Sequence, residues 1–388
     1  MPDLYPAVPE SNICEEQMKL KKIHLYLLSL LSGLLLTLGW PANGFAFLLF
    51  FGFVPILMIE DYIFTHHGQF YKFSFFWYAF ISMLVWNLLT TYWIYYSTAF
   101  GAAFAIVLNA LFMATALSLF HYVRKVLNNN SAYLSFIIFW ITFEYLHLDW
   151  DLSWSWLNLG NGFAGFPSWI QWYEYTGTFG GTLWILAGNL MIFRSINFFS
   201  TKEKSPKFRT LYAAACGNLI VIPILISLFI YYHYEEKGKS VHVTVVQPNI
   251  DPYNEKFSSL SSEEQMGKIL NLARKKTNAS TDLLIGPETA IPEGVWEDQL
   301  KSSSSVDSLR IFLKKHPSLN ILIGLSSYKM FLPGEIISST AHSYSCGDKK
   351  VCWQDAYNSA MLMDTSKKVQ IYHKSKLVPG VEKMPFPR

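Results

Sequence analysis

Seven apolar runs, each near the length of about 20 residues needed to cross a bilayer, set the terms for this chain. They cover 23–39, 44–62, 73–96, 98–123, 132–148, 179–198 and 211–232. With 51% of residues hydrophobic and 15% charged, the chain is too apolar for an ordinary soluble protein. Trp and Tyr stand near the ends of several runs, where interfacial anchoring favours them. A net charge of +3, with no basic patch interleaved with aromatics, points away from nucleic acid as a partner.

The cations among these runs are not scattered. Lys19, Lys21 and Lys22 precede the first run, Lys72 lies between the second and third, and Arg124 and Lys125 follow the fourth. Arg194, Lys202, Lys204, Lys207 and Arg209 surround the link between the sixth and seventh. The alternate loops, including the long one from Asp149 to Thr178, contain no Lys or Arg. Positive-inside bias therefore predicts a cytoplasmic N-terminal segment (1–22) and a seven-span membrane domain (23–232). Everything after Tyr232 is then expected on the outer side. A signal-peptide reading of the first run finds no small-x-small cleavage site, because the run leads into Gly39-Trp40-Pro41. The outer placement of the tail does not depend on that choice.

From Glu235 onward charge rises and the apolar residues shorten into strand-like runs: VHVTVV (241–246), DLLIG (282–286), NILIGLSS (320–327), YNSAMLMD (357–364) and KVQIYHK (368–374). Thr365-Ser366-Lys367 reads as a hairpin turn between the last two. Met266, Ile269, Leu270 and Ala273 share one face of a predicted helix that Ser261 and Glu264 open as a capping box. A second helix carries Val306, Leu309, Phe312 and Leu313 and stops at Pro317. Strand and helix alternate before a hairpin, an α/β layered pattern whose apolar strands predict a sheet covered on its faces. Cys346 and Cys352 share a loop of this outer part, where a disulfide is chemically permitted, and the spacing leaves the pairing open. Neither Cys14 nor Cys216 has metal-ligand company, and no metal or cofactor is expected.

Glu288 follows an apolar strand and Lys374 ends another, positions from which charged groups project above a covered sheet. Such a pair can move a proton, stabilise an oxyanion and activate a third group for covalent catalysis. Taken alone, both residues can equally be solvated loop charges.

Four ordered segments narrow this reading: VVQPNI (245–250), GPETAIP (286–292), YNSA (357–360) and YHKSKLVPGVEKMPF (372–386). They resemble segments of the nitrilase superfamily and, more narrowly, the outer domain of the bacterial apolipoprotein N-acyltransferase family. The loop WSWLNLGNGFAGFPSWIQWYEYTGTFGG (154–181) is similar to that family's loop between its fifth and sixth spans. The resemblance implies a membrane bundle followed by an α-β-β-α nitrilase-like sandwich (233–388) outside the bacterial inner membrane. It assigns Glu288 as general base, Lys374 as the oxyanion-stabilising lysine and Glu382 as an additional active-site glutamate. The family's LVPFGE reads LVPGVE here, which removes a Phe, shifts the Gly and leaves the aim of Glu382 open. Gly286 stands where the family often has Trp.

The activity implied is transfer of an acyl group from a membrane phospholipid to the N-terminal diacylglyceryl-cysteine of a lipoprotein. It proceeds by ping-pong chemistry through a cysteine. That cysteine follows the lysine by some tens of residues in the family and is missing before Arg388. Cys346 and Cys352 precede Lys374, in the wrong order for that role. Residues 233–388 also fall short of the roughly 250 that a complete sandwich takes. The expectation is a member incomplete at its C-terminus: a fragment, a split gene or an early stop. Two alternatives stay open, a membrane-tethered nitrilase-type amidase and a non-catalytic product. Glu144, within the fifth run, is costly in lipid and is expected to face the bundle as a structural or a substrate-facing group.

Overall fold

The computed structural model describes residues 21–41, 44–127, 130–201, 204–252, 254–256, 258–338, 340–346, 351–366, 368–380, 382–383 and 386. Cys14, Lys19, Lys202 and Lys367, used above, lie outside that set. The chain divides into two compact units, the first ending at Glu235 and the second comprising Glu236–Met384.

The first unit is helical. Its helices are α1 (Lys22–Leu38), α2 (Leu49–Gly52), α3 (Val54–Thr65), α4 (Ser74–Thr91) and α5 (Ala99–Leu127). They continue with α6 (Leu134–Leu146), α7 (Tyr173–Thr201) and α8 (Pro206–His233). Each of the seven apolar runs is helical. Among the described residues, five segments are long and apolar enough to cross a membrane: Ala46–Thr65, Ser74–Tyr96, Ala99–Leu127, Tyr173–Thr201 and Pro206–His233. Lys22–Leu38 and Ser131–Leu146 are shorter apolar helices, so the seven-span expectation rests on two elements at or below the usual minimum. The chain is a multi-pass membrane protein.

Lipid offers no hydrophobic drive between helices, so close contacts and polar groups hold the bundle together. A side chain at Gly33 would strike the Ser82 carbonyl and Val85, and the Ser82 hydroxyl donates to the Ser29 carbonyl at 2.8 Å. Asn109 donates to Asn87 at 2.7 Å. Asn189 closes the break between α2 and α3: it accepts the Phe53 N–H at 2.7 Å and donates to the Leu49 carbonyl at 2.7 Å.

In its described residues the second unit is a seven-stranded mixed sheet with helices packed against it. Its strands are β1 (Val243–Val245), β2 (Leu283–Ile285), β3 (Ile291–Trp296), β4 (Asn320–Phe331), β5 (His342–Ser345), β6 (Val351–Met363) and β7 (Val369–His373). The order is β1-β2-β4-β6-β5, with β3 also pairing β4 and β7 also pairing β6. β1, β2, β3 and β4 pair in parallel, and β6 runs antiparallel to β4, β5 and β7. β5, β3 and the first half of β6 lie outside the five strand-like runs of the sequence.

Both predicted helices form, α9 (Ser262–Lys276) and α10 (Ser304–Lys314). The Ser261–Glu264 capping box is made, and Met266, Ile269, Leu270 and Ala273 are buried. They pack with Val306, Leu309, Phe312 and Leu313 against Ile321, Ile323 and Leu325 of β4. Cover is one-sided among the described residues. Val243 and Val245, on the edge strand, are 47% and 70% exposed, where the apolar pattern predicts burial.

Candidate active site

β2 carries the chain to Glu288, and the backbone after it is unusual. Thr289 adopts φ +45°, a left-handed conformation that strains a β-branched residue. Neighbours hold it there: the Ala290 N–H donates to the Gly324 carbonyl at 2.9 Å, and the Lys256 ammonium donates to the Thr289 hydroxyl at 2.5 Å. Gly324, in mid-strand β4, lets the Glu288 turn lie directly on the sheet, because a Cβ there would sit 2.7 Å from the Glu288 Cα. Only glycine leaves that space.

Lys374 arrives from the other side of β4. Its backbone N–H donates to the Asn358 carbonyl at 2.8 Å, continuing the β6–β7 ladder by one step. Its ammonium group lies 3.1 Å from Glu288 Oε1 and 2.8 Å from Glu382 Oε1. The Asn358 amide donates to the same two oxygens, to Glu382 Oε1 at 2.9 Å and to Glu288 Oε1.

The altered LVPGVE turn still delivers Glu382. Gly380 takes φ +81°, and the Gly380 N–H donates to the Lys383 carbonyl at 2.8 Å. The Val378 N–H then donates to Glu382 Oε2 at 2.8 Å. The shifted glycine supplies the left-handed residue that this tight turn requires.

Electrostatics follow from these partners. The Asn358 amide and the Lys374 ammonium hold the Glu288 carboxyl below the ordinary glutamate range. Partial burial works against the charge on Lys374, but hydrogen bonds to Glu382 and Glu288 outweigh it and raise its pKa. Burial likewise opposes ionisation of Glu382, and Lys374, the Val378 N–H and Asn358 overcome it to leave its pKa lowered. At neutral pH the cluster is therefore two carboxylates sharing one ammonium. The Glu288 side chain is 62% exposed, so one carboxylate is open to an incoming group.

Behind the cluster, His373 donates or accepts at Nε2 against Glu297 Oε1 at 2.6 Å, and its ring stacks on Tyr357 at 3.8 Å. Ser327 donates to the same Glu297 oxygen at 2.8 Å and meets the Ser359 hydroxyl at 2.8 Å. These contacts lock the residues flanking Asn358 and Lys374 to β4.

No thiol stands in this cluster among the described residues. Cys346 and Cys352 form a disulfide, and Cys216 is buried in α8. No group of His, Cys, Asp and Glu among the described residues has the arrangement of a metal site.

In the other unit, residues 32–191 match the family model for the apolipoprotein N-acyltransferase N-terminal domain. Curated proteins named apolipoprotein N-acyltransferase are similar along most of the chain. The Chlorobaculum tepidum protein is 28% identical over 93% of this chain and 65% of its own length. The Geobacter metallireducens protein is 27% identical over 74% of this chain and 55% of its own. Apolipoprotein N-acyltransferase 1 of Treponema denticola is 25% identical over 93% and 66%. The resemblance to apolipoprotein N-acyltransferases read from the sequence is borne out.

The chain thus spans between 55% and 66% of the length of these apolipoprotein N-acyltransferases. Within that span the structure brings together the three residues that the resemblance assigns. It adds three that sequence reasoning did not single out: Asn358, Gly324 and Lys256. Gly324 carried a readable signal, a lone glycine inside an apolar strand. Asn358 lay in a quoted motif, YNSA, but its contact with two carboxylates depends on strand register. Lys256 gave no signal.

Glu144 is buried, and its place in the bundle is also defined. It accepts from Trp140 Nε1 at 3.0 Å, the Leu159 N–H at 2.8 Å and the Thr182 hydroxyl at 2.7 Å. The carboxylate pins the 154–181 loop to α6 and α7, the structural rather than the substrate-facing alternative.

Proposed function

We propose that this chain carries the base and the charge-stabilising groups of a phospholipid:lipoprotein N-acyltransferase, with its second unit on the periplasmic side of the inner membrane. The reading rests on one observation above all: the Lys374 ammonium held between Glu288 and Glu382 at 3.1 and 2.8 Å. In this reading Glu288 removes the proton from a cysteine thiol, and the thiolate attacks the acyl-ester carbonyl of a phospholipid. Lys374 stabilises the oxyanion of the tetrahedral intermediate, and Glu382 holds Lys374 in place. As the lysophospholipid oxygen leaves, Glu288 returns the proton to it and an acyl thioester remains. The α-amino group of a diacylglyceryl-cysteine then attacks the thioester, forming the amide and releasing the thiol. None of the described cysteines is placed to be that nucleophile, so the reading takes it from a segment other than the residues given.

The test is covalent trapping with an alkyne-tagged phospholipid. The 388-residue chain alone is expected to take no hydroxylamine-labile label. Extended with the cysteine-bearing segment of a relative, it is expected to take one, and to lose it by 100-fold or more in rate on Glu288→Gln or Lys374→Met. Labelling that survives both substitutions refutes the assigned roles. Labelling of the chain alone would show that one of its own groups is the nucleophile.

A further inference from the structure

A cavity of about 410 Å³ lies in the membrane unit, among the end of α3, the α3–α4 link, the start of α4 and the end of α5. Two ammonium groups line it, Lys72 and Lys125, together with the rings of Phe70, Phe75 and Phe76. Among the described residues no Asp or Glu lines it. The carboxylates on the adjoining turn of α3 are already engaged: Glu60 accepts from His121 at 2.6 Å and from Arg124, and Asp61 accepts from Arg124. Among the described residues neither lysine forms a salt bridge; Lys125 feels the attraction of Glu60, which His121 and Arg124 already hold, and less strongly the repulsion of Lys72. Like charges facing a cavity with apolar walls are unfavourable until an anion joins them.

Around the same rim Tyr71, Phe73 and Tyr122 are 88%, 66% and 60% exposed. Aromatic side chains exposed at the ends of membrane helices sit at head-group level. A basic pocket between helices, at the end of the bundle where Lys and Arg collect, is a recurrent setting for lipid phosphate.

We propose that this cavity binds an anionic phospholipid, with Lys72 and Lys125 neutralising its head-group phosphate and the aromatic walls packing against its glycerol and upper acyl chains. A zwitterionic head group fits less well, because its own ammonium would find no carboxylate in the lining. The site uses no residue of the Glu288–Lys374–Glu382 cluster and does not depend on the activity proposed above.

The experiment is native mass spectrometry of the full chain, delipidated and offered phosphatidylglycerol or phosphatidylethanolamine with matched acyl chains. Preferential retention of phosphatidylglycerol is expected, falling about fivefold for each lysine in Lys72→Gln and Lys125→Gln. The double Arg variant (Lys72→Arg, Lys125→Arg) is expected to keep the preference. An unchanged preference in the double Gln variant would overturn the proposal. So would inorganic phosphate that displaces the lipid at equal concentration, which would indicate an ion site. Should the double Gln variant fail to fold, the wild-type comparison decides, because equal retention of the two lipids overturns it.

Discussion

Gly324 and Glu288 touch backbone to backbone: a Cβ built on Gly324 would lie 2.7 Å from the Glu288 Cα and 2.5 Å from the Thr289 nitrogen. The glutamate that projects from the end of β2 thus takes its height above the sheet from a glycine on the neighbouring strand.

Gly324→Ala should therefore displace Glu288. The neighbouring atoms are main chain and cannot swing aside, so a cost of about 1–3 kcal/mol is expected, as for other forced overpacking. Gly267 of α9 is the control, since a Cβ there meets nothing within 4 Å. Gly267→Ala should stabilise by about 0.5–1 kcal/mol through helix propensity. Denaturant titration of both purified variants checks the pair, and equal behaviour would contradict the close approach.

The charge cluster gives a pH window. Glu288 and Glu382 have lowered pKa values, so their contribution is present above the ordinary glutamate value of about 4.3 and is lost as pH falls through the folded values. Lys374 has a raised pKa, so its contribution is present below about 10.4 and is lost as pH rises through the folded value. The cluster should be intact from about pH 5 to 10. With Glu288 largely exposed, the stability at stake is about 1 kcal/mol or less. Asn358→Ala removes the amide shared by both carboxylates and should move the acid loss to higher pH. Melting curves between pH 3 and 8 measure this, and superimposable wild-type and variant profiles would rule out the shared amide.

Glu144 should behave as a structural anchor. Glu144→Ala strands the Leu159 N–H, the Trp140 indole and the Thr182 hydroxyl in the bundle interior. Leaving such donors unmet should cost about 3 kcal/mol or more. Glu144→Gln keeps an acceptor and should cost about half as much. Thermal unfolding in detergent, with limited proteolysis of the 154–181 loop, reads both. A fully stable Ala variant would remove the anchoring role.

The disulfide makes the orientation testable. A membrane-impermeant maleimide applied to intact cells should leave Cys346 and Cys352 unmodified until an impermeant reductant opens their bridge. Label without reduction would deny the bridge. Label that appears only after lysis would place the second unit in the cytoplasm and reverse the charge-based topology.

What the sequence determined by itself is what depends on local pattern. Lipid-crossing helices declare themselves through length and apolarity, because every backbone hydrogen bond is satisfied within the segment. The capping box at Ser261 and the apolar faces of α9 and α10 were readable for the same reason: their partners lie three or four residues away. The family motifs named Glu288, Lys374 and Glu382. Tertiary structure decided what is made by pairing distant segments. Strands β3 and β5 have weak patterns of their own and exist because β4 and β6 offer hydrogen-bond partners. The Lys374–Glu288 contact joins residues 86 apart, and only the β4–β6–β7 register brings them within 3.1 Å. The Cys346–Cys352 pairing and the service of Glu144 to a loop 15 residues away belong to the same class. A sequence lists the groups, but which donor meets which acceptor is settled when the chain has folded, since an unmet buried polar group costs more than any local preference supplies.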